Sequence, residues 1–421
     1  MLSAPESISG PIKGLATAVA LKRVGIGSLV LERSPELRTT GAALGLMPNA
    51  WLALQALGVA HKLTSIYSPI QKGYFTNVAN GATQQVSFMR INGTSNGPVI
   101  VHRKALLETL AGELAPGTIR FSSKLTSIRI VAIDDEVSSS IAIISLQDGT
   151  IIKAKVLIGC DGVHSVVARW LGLTAPVNSG RSAIRGLAVF PQGHGYKQTS
   201  YRFLDEGKRA GFAPLNDKEL YWFLVYNSTD EETVGDPKLL QNDVMKNLAK
   251  DFPPSYLEVV QHADLATMTW AQLKFRYPWD LIFGHLCKGN ITVAGDAMHP
   301  MTPDLGQGGC SALEDAVVLG RHLAKSSLPN PNGHGLIVVL DAAKAIEGYV
   351  KERRWRAAGL ITGAYLSGWV QQGGSGFFMK FLRDTIFYGF LFRRVVNLQY
   401  DCGKLPIVSS LSKSDAQTKI D

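Results

Sequence analysis

The sequence predicts an α/β fold: a parallel-sheet domain, an antiparallel sheet inserted into it, and helices at the C-terminal end. Three observations carry this. Short apolar runs that end in glycine or an acid alternate with helical stretches, the form of buried parallel strands joined by helices. Between about 183 and 227 the texture turns aromatic and β-branched, in runs separated by turns. From Ser311 to about Leu398 the spacing is largely helical. The 421 residues, 46% of them hydrophobic, supply enough apolar chain for two or three domains.

In order along the chain, Leu15 to Val24 reads as a helix rich in small and apolar residues, closed by Gly25 and Gly27. Ser28 to Glu32 follows as an apolar strand ending in a carboxylate. Asn49 to Leu57 is a second helix, stopped by Gly58, and Val101 to Ala115 has helical spacing through Leu106, Leu107 and Leu110. Ile143 to Leu146, the turn Asp148-Gly149 and Ile151-Ile152 form a hairpin pattern. Ala154 to Ile158 is a buried-type strand running into Gly159-Cys160-Asp161-Gly162. Ile184 to Phe190, Thr199 to Leu204 and Leu220 to Tyr226 are the strands of the inserted sheet, and Asn290 to Ala294 returns to the parallel type. The aromatic stretch from Phe377 to Phe390 reads as packing of terminal helices in preference to a membrane-surface helix.

Composition excludes several classes. Lysine and arginine number 43 against 34 acids, a net charge of +9, but they are dispersed and no nucleic-acid-binding signature accompanies them. A diffuse positive field instead favours capture of a small anion such as a nucleotide. Cys160, Cys287, Cys310 and Cys402 lack zinc or CxxC spacing, so no metal and a reducing compartment are expected. No apolar run reaches about 18 residues, and Met1 to Gly14 has no long apolar stretch, so a cytoplasmic protein is expected. No GxSxG, HExxH or Ser/His/Asp set is present.

The chemistry is concentrated in Ile291 to Asp315. An apolar strand ends in Gly295-Asp296, whose carboxylate can accept from a sugar hydroxyl. A proline-punctuated loop then reaches Gly306-Gln307-Gly308-Gly309, which opens a helix. Glycines there let backbone N–H groups approach an electron-rich ligand at a helix N-terminus. A second block, Cys160 to Arg169, holds Asp161 and Gly162. Ser165 and Arg169 fall on one helical face there. A third, Val101 to Leu107, holds Arg103.

These blocks resemble the GD, DG and arginine motifs of the FAD-dependent aromatic hydroxylases, the single-component flavoprotein monooxygenases. Gly-Gln-Gly-Gly-Cys with Leu-Glu-Asp downstream is especially similar to the plant salicylate-hydroxylase-like and zeaxanthin-epoxidase-like group, a plant-like secondary metabolism. The resemblance implies a Rossmann-like FAD-binding domain from 1–70, 100–175 and 271–345. It also implies a substrate domain from 71–99 and 176–270, and a helical region with a tail over 346–421. It implies that Gly295 and Asp296 hold the ribityl chain and that Gly306, Gln307, Gly308 and Gly309 face the isoalloxazine. Pro303 and Gly306 would lie at the reacting position. Asp161 and Gly162 would serve FAD and NAD(P)H. Glu32 would hold the adenosine ribose, and Arg38 and Arg103 the polar chain of FAD. Phe203 and Trp222 are the expected wall of the substrate pocket.

One signature departs from the family. Aligned on Gly14, the first two glycines of GxGxxG fall on Ser9 and Pro11, and proline has no N–H to offer a diphosphate. Two functions follow. The first is a monooxygenase using FAD, NAD(P)H and O2 to hydroxylate or epoxidise a small aromatic or olefinic substrate, with no nucleic-acid or membrane partner. The second is a non-redox relative whose flavin binding is weakened or lost.

Overall fold

The computed structural model describes residues 10–37, 42–89, 97–132, 140–228, 236–328, 338–339, 341–372 and 399–406. Arg38 and the aromatics from Phe377 to Phe390 lie outside them. The first helix, Gly10–Arg23, starts earlier than its apolar spacing suggests. Pro11 is tolerated in the first turn, where no N–H has an intrahelical acceptor. Its small side chains allow close packing on the helix Gly308–Lys325: a Cβ on Gly320 would stand 3.0 Å from that of Ala20. Gly25 closes it at φ +76°.

The parallel sheet is built in two pieces. Val30–Leu31 runs parallel to Ile119–Arg120, while Leu157–Gly159 runs parallel to Ile291–Val293, flanked by antiparallel Cys287–Lys288. Among the described residues no strand joins the pieces. Between Leu29–Glu32 on one side and Val156–Cys160 on the other opens a cleft of about 800 Å³. The first helix lies across both borders. A Cβ on Gly14 would come 3.7 Å from Val30 Cγ1 and 3.9 Å from Cys160 Cβ.

The stretch expected as one helix from Val101 divides into the strand Val99–His102 and the helix Arg103–Ala111. The β-branched residues at 99–101 pair with Ala43–Leu46 instead of coiling. The hairpin forms as Ser140–Leu146 and Ile151–Ala154, with Gly149 at φ +83° in its turn and Leu125–Ala132 as third strand.

The second sheet has seven strands in the order Thr269–Phe275, Val177–Val189, Glu219–Asn227, Lys208–Pro214, Thr199–Asp205, Lys72–Asn77 and Thr83–Ser87. Pairing is antiparallel except between the fifth and sixth. Its first strand runs past the expected boundary at 271, because Leu273 is buried against the sheet and Phe275 pairs with Val177. One face is covered by the helix Pro254–Gln261, whose Tyr256, Val259 and Val260 are buried with Trp222, Leu224 and Phe203. The other face looks toward the Gly308–Lys325 helix and carries the site. The final helix, Ala342–Gln372, packs on both the 308–325 and 278–283 helices.

Candidate active site

The strand Ile291–Val293 delivers the chain to Gly295, at φ +55°, and then to Asp296 in a 3-10 turn. The turn is held from beneath by Asp315, which is fully buried. Asp315 Oδ2 accepts from the Gly295 N–H at 2.8 Å and from His299 Nε2 at 2.7 Å. Its Oδ1 accepts from Arg353 Nε at 2.7 Å, and the Lys13 ammonium lies 3.7 Å from Oδ2. Burial alone would raise the Asp315 carboxyl, but His299, Arg353 and Lys13 outweigh it and hold it well below the usual range. Arg353 also reaches Glu314 at 2.6 Å and the Ser311 hydroxyl at 2.8 Å. Glu314 in turn accepts from Asn49, which also donates to Gln307 at 2.9 Å. The Gln307 side chain is therefore turned into the core, and only its backbone is left for a ligand.

The Pro303–Leu305 turn ends at Gly306, in the left-handed region at φ +64°, and Gly308 and Gly309 open the following helix. A Cβ at either of these last two would meet nothing within 4 Å. They face a cavity of about 280 Å³, whose wall includes Met47, Ile100, Tyr221, Phe223, Asp296 and Pro303. Asp304 is buried beside it. Arg181 donates to both its oxygens at 3.0 Å, and Arg209 lies 3.1 Å from Oδ1. Burial raises its carboxyl, but the two guanidiniums prevail and lower it.

Glu32, Arg103, Asp161, Gly162 and Gly14 line the larger cleft, and Val163 borders both cavities. Glu32 accepts from the Ser34 N–H at 2.9 Å. Arg103 is buried at the first position of its helix. Asp161 accepts from the Ser165 hydroxyl and, at 2.6 Å, from the Val166 N–H, while Ser165 caps the helix Val166–Trp170 through Ala168. That carboxylate is already engaged in ordering its own turn, in which Gly162 takes φ +82°.

The expected pocket wall is corrected. Trp222 and Phe203 are buried on the opposite face of the sheet, each with its ring against Tyr256. Alternation along the strand Glu219–Asn227 turns Tyr221, Phe223 and Val225 to the cavity instead. The sequence showed the alternation; which face is covered depends on the helix Pro254–Gln261 docking there. The Arg181–Asp304–Arg209 cluster also went unread, because its members lie on three separated segments. Among the described residues no group of His, Cys, Asp or Glu is placed to hold a metal, and no helix is long and apolar enough to cross a membrane. Burial pushes the Cys160 and Cys310 thiols up to about 12, so neither is a nucleophile at neutral pH.

Residues 9–354 match the family described as FAD binding domain. Monooxygenase 2 of Arabidopsis thaliana is 41% identical over 404 residues, covering 94% of this chain and 97% of the relative. The chain belongs to the FAD-dependent monooxygenases. Monooxygenase 1 of the same plant is 35% identical over 402 residues, 94% and 98% of the two chains. An FAD-dependent urate hydroxylase of Klebsiella pneumoniae is 28% identical over 317 residues, 74% and 79% of the two. The fold is that of Klebsiella pneumoniae HpxO complexed with FAD and uric acid, at a TM-score of 0.75 and 24% identity, covering 94% and 95% of the two chains. FAD fits this monooxygenase. Two cavities bordered in common by Val163 extend from Glu32 to Gly309, and the glycines at the far end leave open the space that side chains would fill.

Proposed function

We propose that the enzyme uses NAD(P)H and O2 to hydroxylate or epoxidise a small aromatic or olefinic molecule held between the seven-stranded sheet and the start of the 308–325 helix. The observation that carries this reading is the position of Gly308 and Gly309. They are bare backbone at a helix N-terminus, facing a cavity walled by Tyr221 and Phe223. FAD, when bound, supplies the redox chemistry, accepting hydride and activating dioxygen. The chain's own residues bind, orient and shield. Glu32 is the acceptor for the adenosine ribose, Arg103 and Asp296 hold the polar chain, and the backbone from Gly306 to Gly309 borders the flavin ring. Gly14 lets the first helix approach the cleft, and Gly162 lets the neighbouring turn do so. Pro303 closes the cavity at the reacting position, and the apolar wall excludes water from it. No side-chain nucleophile is required, in keeping with the inert thiols.

A volume of about 280 Å³ suits one or two fused rings, near the lower end of the roughly 300–1,000 Å³ range of small-molecule sites. Anaerobic mixing of the FAD-loaded enzyme with NADPH or NADH should bleach the flavin. Readmitting ¹⁸O₂ with a panel of aromatic compounds should place one labelled oxygen in a product. A flavin that neither nucleotide reduces would sink the proposal.

A further inference from the structure

The charges around the cavity do not balance. Among the described residues, six charged side chains line it: Arg185, Arg202, Arg209 and Lys274 against Asp296 and Asp304. Asp304 is already matched twice, by Arg181 and Arg209. Arg202 lies over the Phe75 ring. Arg185 and Lys274 remain, and neither side chain makes a hydrogen bond or ion pair with the described residues. Arg185 stands directly across from Phe223 in the strand register, while its neighbour Gly186 packs on the Trp222 indole behind the sheet. Alternation therefore points the Arg185 guanidinium to the cavity side, among aromatic rings. Tyr221 beside it keeps its proton, since burial raises its hydroxyl more than Arg185 and Arg209 lower it. It is thus a donor and offers no counter-charge. A cation in a half-enclosed apolar wall costs free energy until an anion meets it.

We infer that the substrate is a planar ring bearing an anionic oxygen group, a carboxylate or an ionised hydroxyl, and that Arg185, assisted by Lys274, reads that charge. This rests on the cavity being the substrate site. It adds a chemical class and a specificity-determining residue to that reading. The guanidinium would donate two parallel hydrogen bonds to a carboxylate, or one to a phenolate, while Phe223 stacks on the ring.

Calorimetric titration of the FAD-loaded protein, and of the same protein stripped of FAD, tests it with two matched pairs. These are 1-naphthoate against 1-naphthamide, and 4-nitrophenolate against 4-nitroanisole. The anion of at least one pair should bind about tenfold or more tightly than its neutral partner, and added salt should weaken the anion alone. Which pair discriminates tells carboxylate from ionised hydroxyl. Arg185→Gln should weaken that anion by about 10- to 100-fold and change its neutral partner less than about threefold. Arg185→Lys should restore part of the preference, and Lys274→Gln should reduce it by a smaller factor. Equal binding within both pairs, an equal loss for anion and neutral partner in Arg185→Gln, or no binding by any probe would overturn the inference. Failure of flavin reduction with charge selectivity intact would overturn the proposed reaction and leave this inference standing.

Discussion

The two ends of the cofactor site are specified in opposite ways. At the proposed flavin end the turn Gly295–Asp296 and the helix start at Gly308 are fixed by a buried cluster in which Lys13, His299, Arg353, Glu314 and Asp315 converge from four chain segments. At the proposed adenosine end two small pieces of parallel sheet face each other across a cleft of about 800 Å³, and among the described residues the first helix bridges them with no strand between. One end is held by a dense buried network, and among the described residues the other has no such network. The lesson is that a backbone cradle can be fixed by buried charges drawn from distant segments, while a neighbouring cleft in the same fold is bordered by short separate strands.

The comparison can be broken most forcefully at the cluster. Arg353→Met leaves Glu314 and Asp315 buried without the guanidinium they share and should cost about 3–5 kcal/mol of stability, measured as a shift in urea midpoint. A stability like that of the parent would mean that the flavin end is not held this way. Gly308→Leu probes the same end without touching the core. Its side chain enters open space, so stability should change by less than about 1 kcal/mol while FAD affinity falls at least about tenfold. Equal FAD dissociation constants by fluorescence quenching would remove the glycines from the site. Asp296→Ala should weaken FAD by about 1–3 kcal/mol, the cost of losing a charge-assisted hydrogen bond.

The adenosine end should respond in the other direction. Placing an apolar strand and Gly-x-Gly before Ile12 should add backbone donors beside the cleft. FAD affinity should rise by about five- to 150-fold, or 1–3 kcal/mol, and the purified protein should turn yellower. If the graft folds without any gain, the cleft already holds the nucleotide as well as it can.

The smallest effect is acid sensitivity. Asp304 and Asp315 are both held below their ordinary carboxylate values. Their contribution is complete above the unfolded value of about 3.9 and is lost as pH falls through the lowered folded values. The contribution of these two aspartates should therefore be flat through neutral pH and decline below about pH 4, beside a smaller loss below about pH 6.5 from His164, which burial holds below its ordinary value. Asp304→Asn should make that decline shallower, even though it leaves Arg181 and Arg209 unpaired and lowers the plateau. A main decline starting near pH 6 would assign the sensitivity to other groups.

What the sequence disclosed was chemistry confined to short stretches. Asp296, Gly306, Gly308, Gly309 and Glu32 could be singled out as cavity-lining residues because a turn, a helix start or a strand end imposes its residue types within a few positions. The antiparallel insert was readable from its aromatic and β-branched alternation. Long-range choices were not. Nothing local tells which face of the strand Glu219–Asn227 a distant helix will cover, so Trp222 and Phe203 read like cavity residues although Tyr221 and Phe223 occupy that side. Lys13 gave no sign that its ammonium would reach Asp315, nor Asp161 that its carboxylate would be engaged by Ser165 and Val166.

The meeting of Lys13 and Arg353 on Asp315 sets an order on biosynthesis. The helix Gly10–Arg23 leaves the ribosome early, and the helix bearing Arg353 leaves near the end. At about 5–20 residues per second, some 17–70 s separate them. For most of that interval Asp315 has not emerged and the first helix carries a lysine without its buried partner; once made, Asp315 can accept from the Gly295 N–H but still lacks Arg353 on its other oxygen. The buried cluster beneath the proposed flavin cradle is therefore completed late in translation, by the helix Ala342–Gln372, and a nascent chain stalled just before residue 342 would carry every glycine of the motif, with Asp315 beneath them but without the guanidinium that ties it to Glu314.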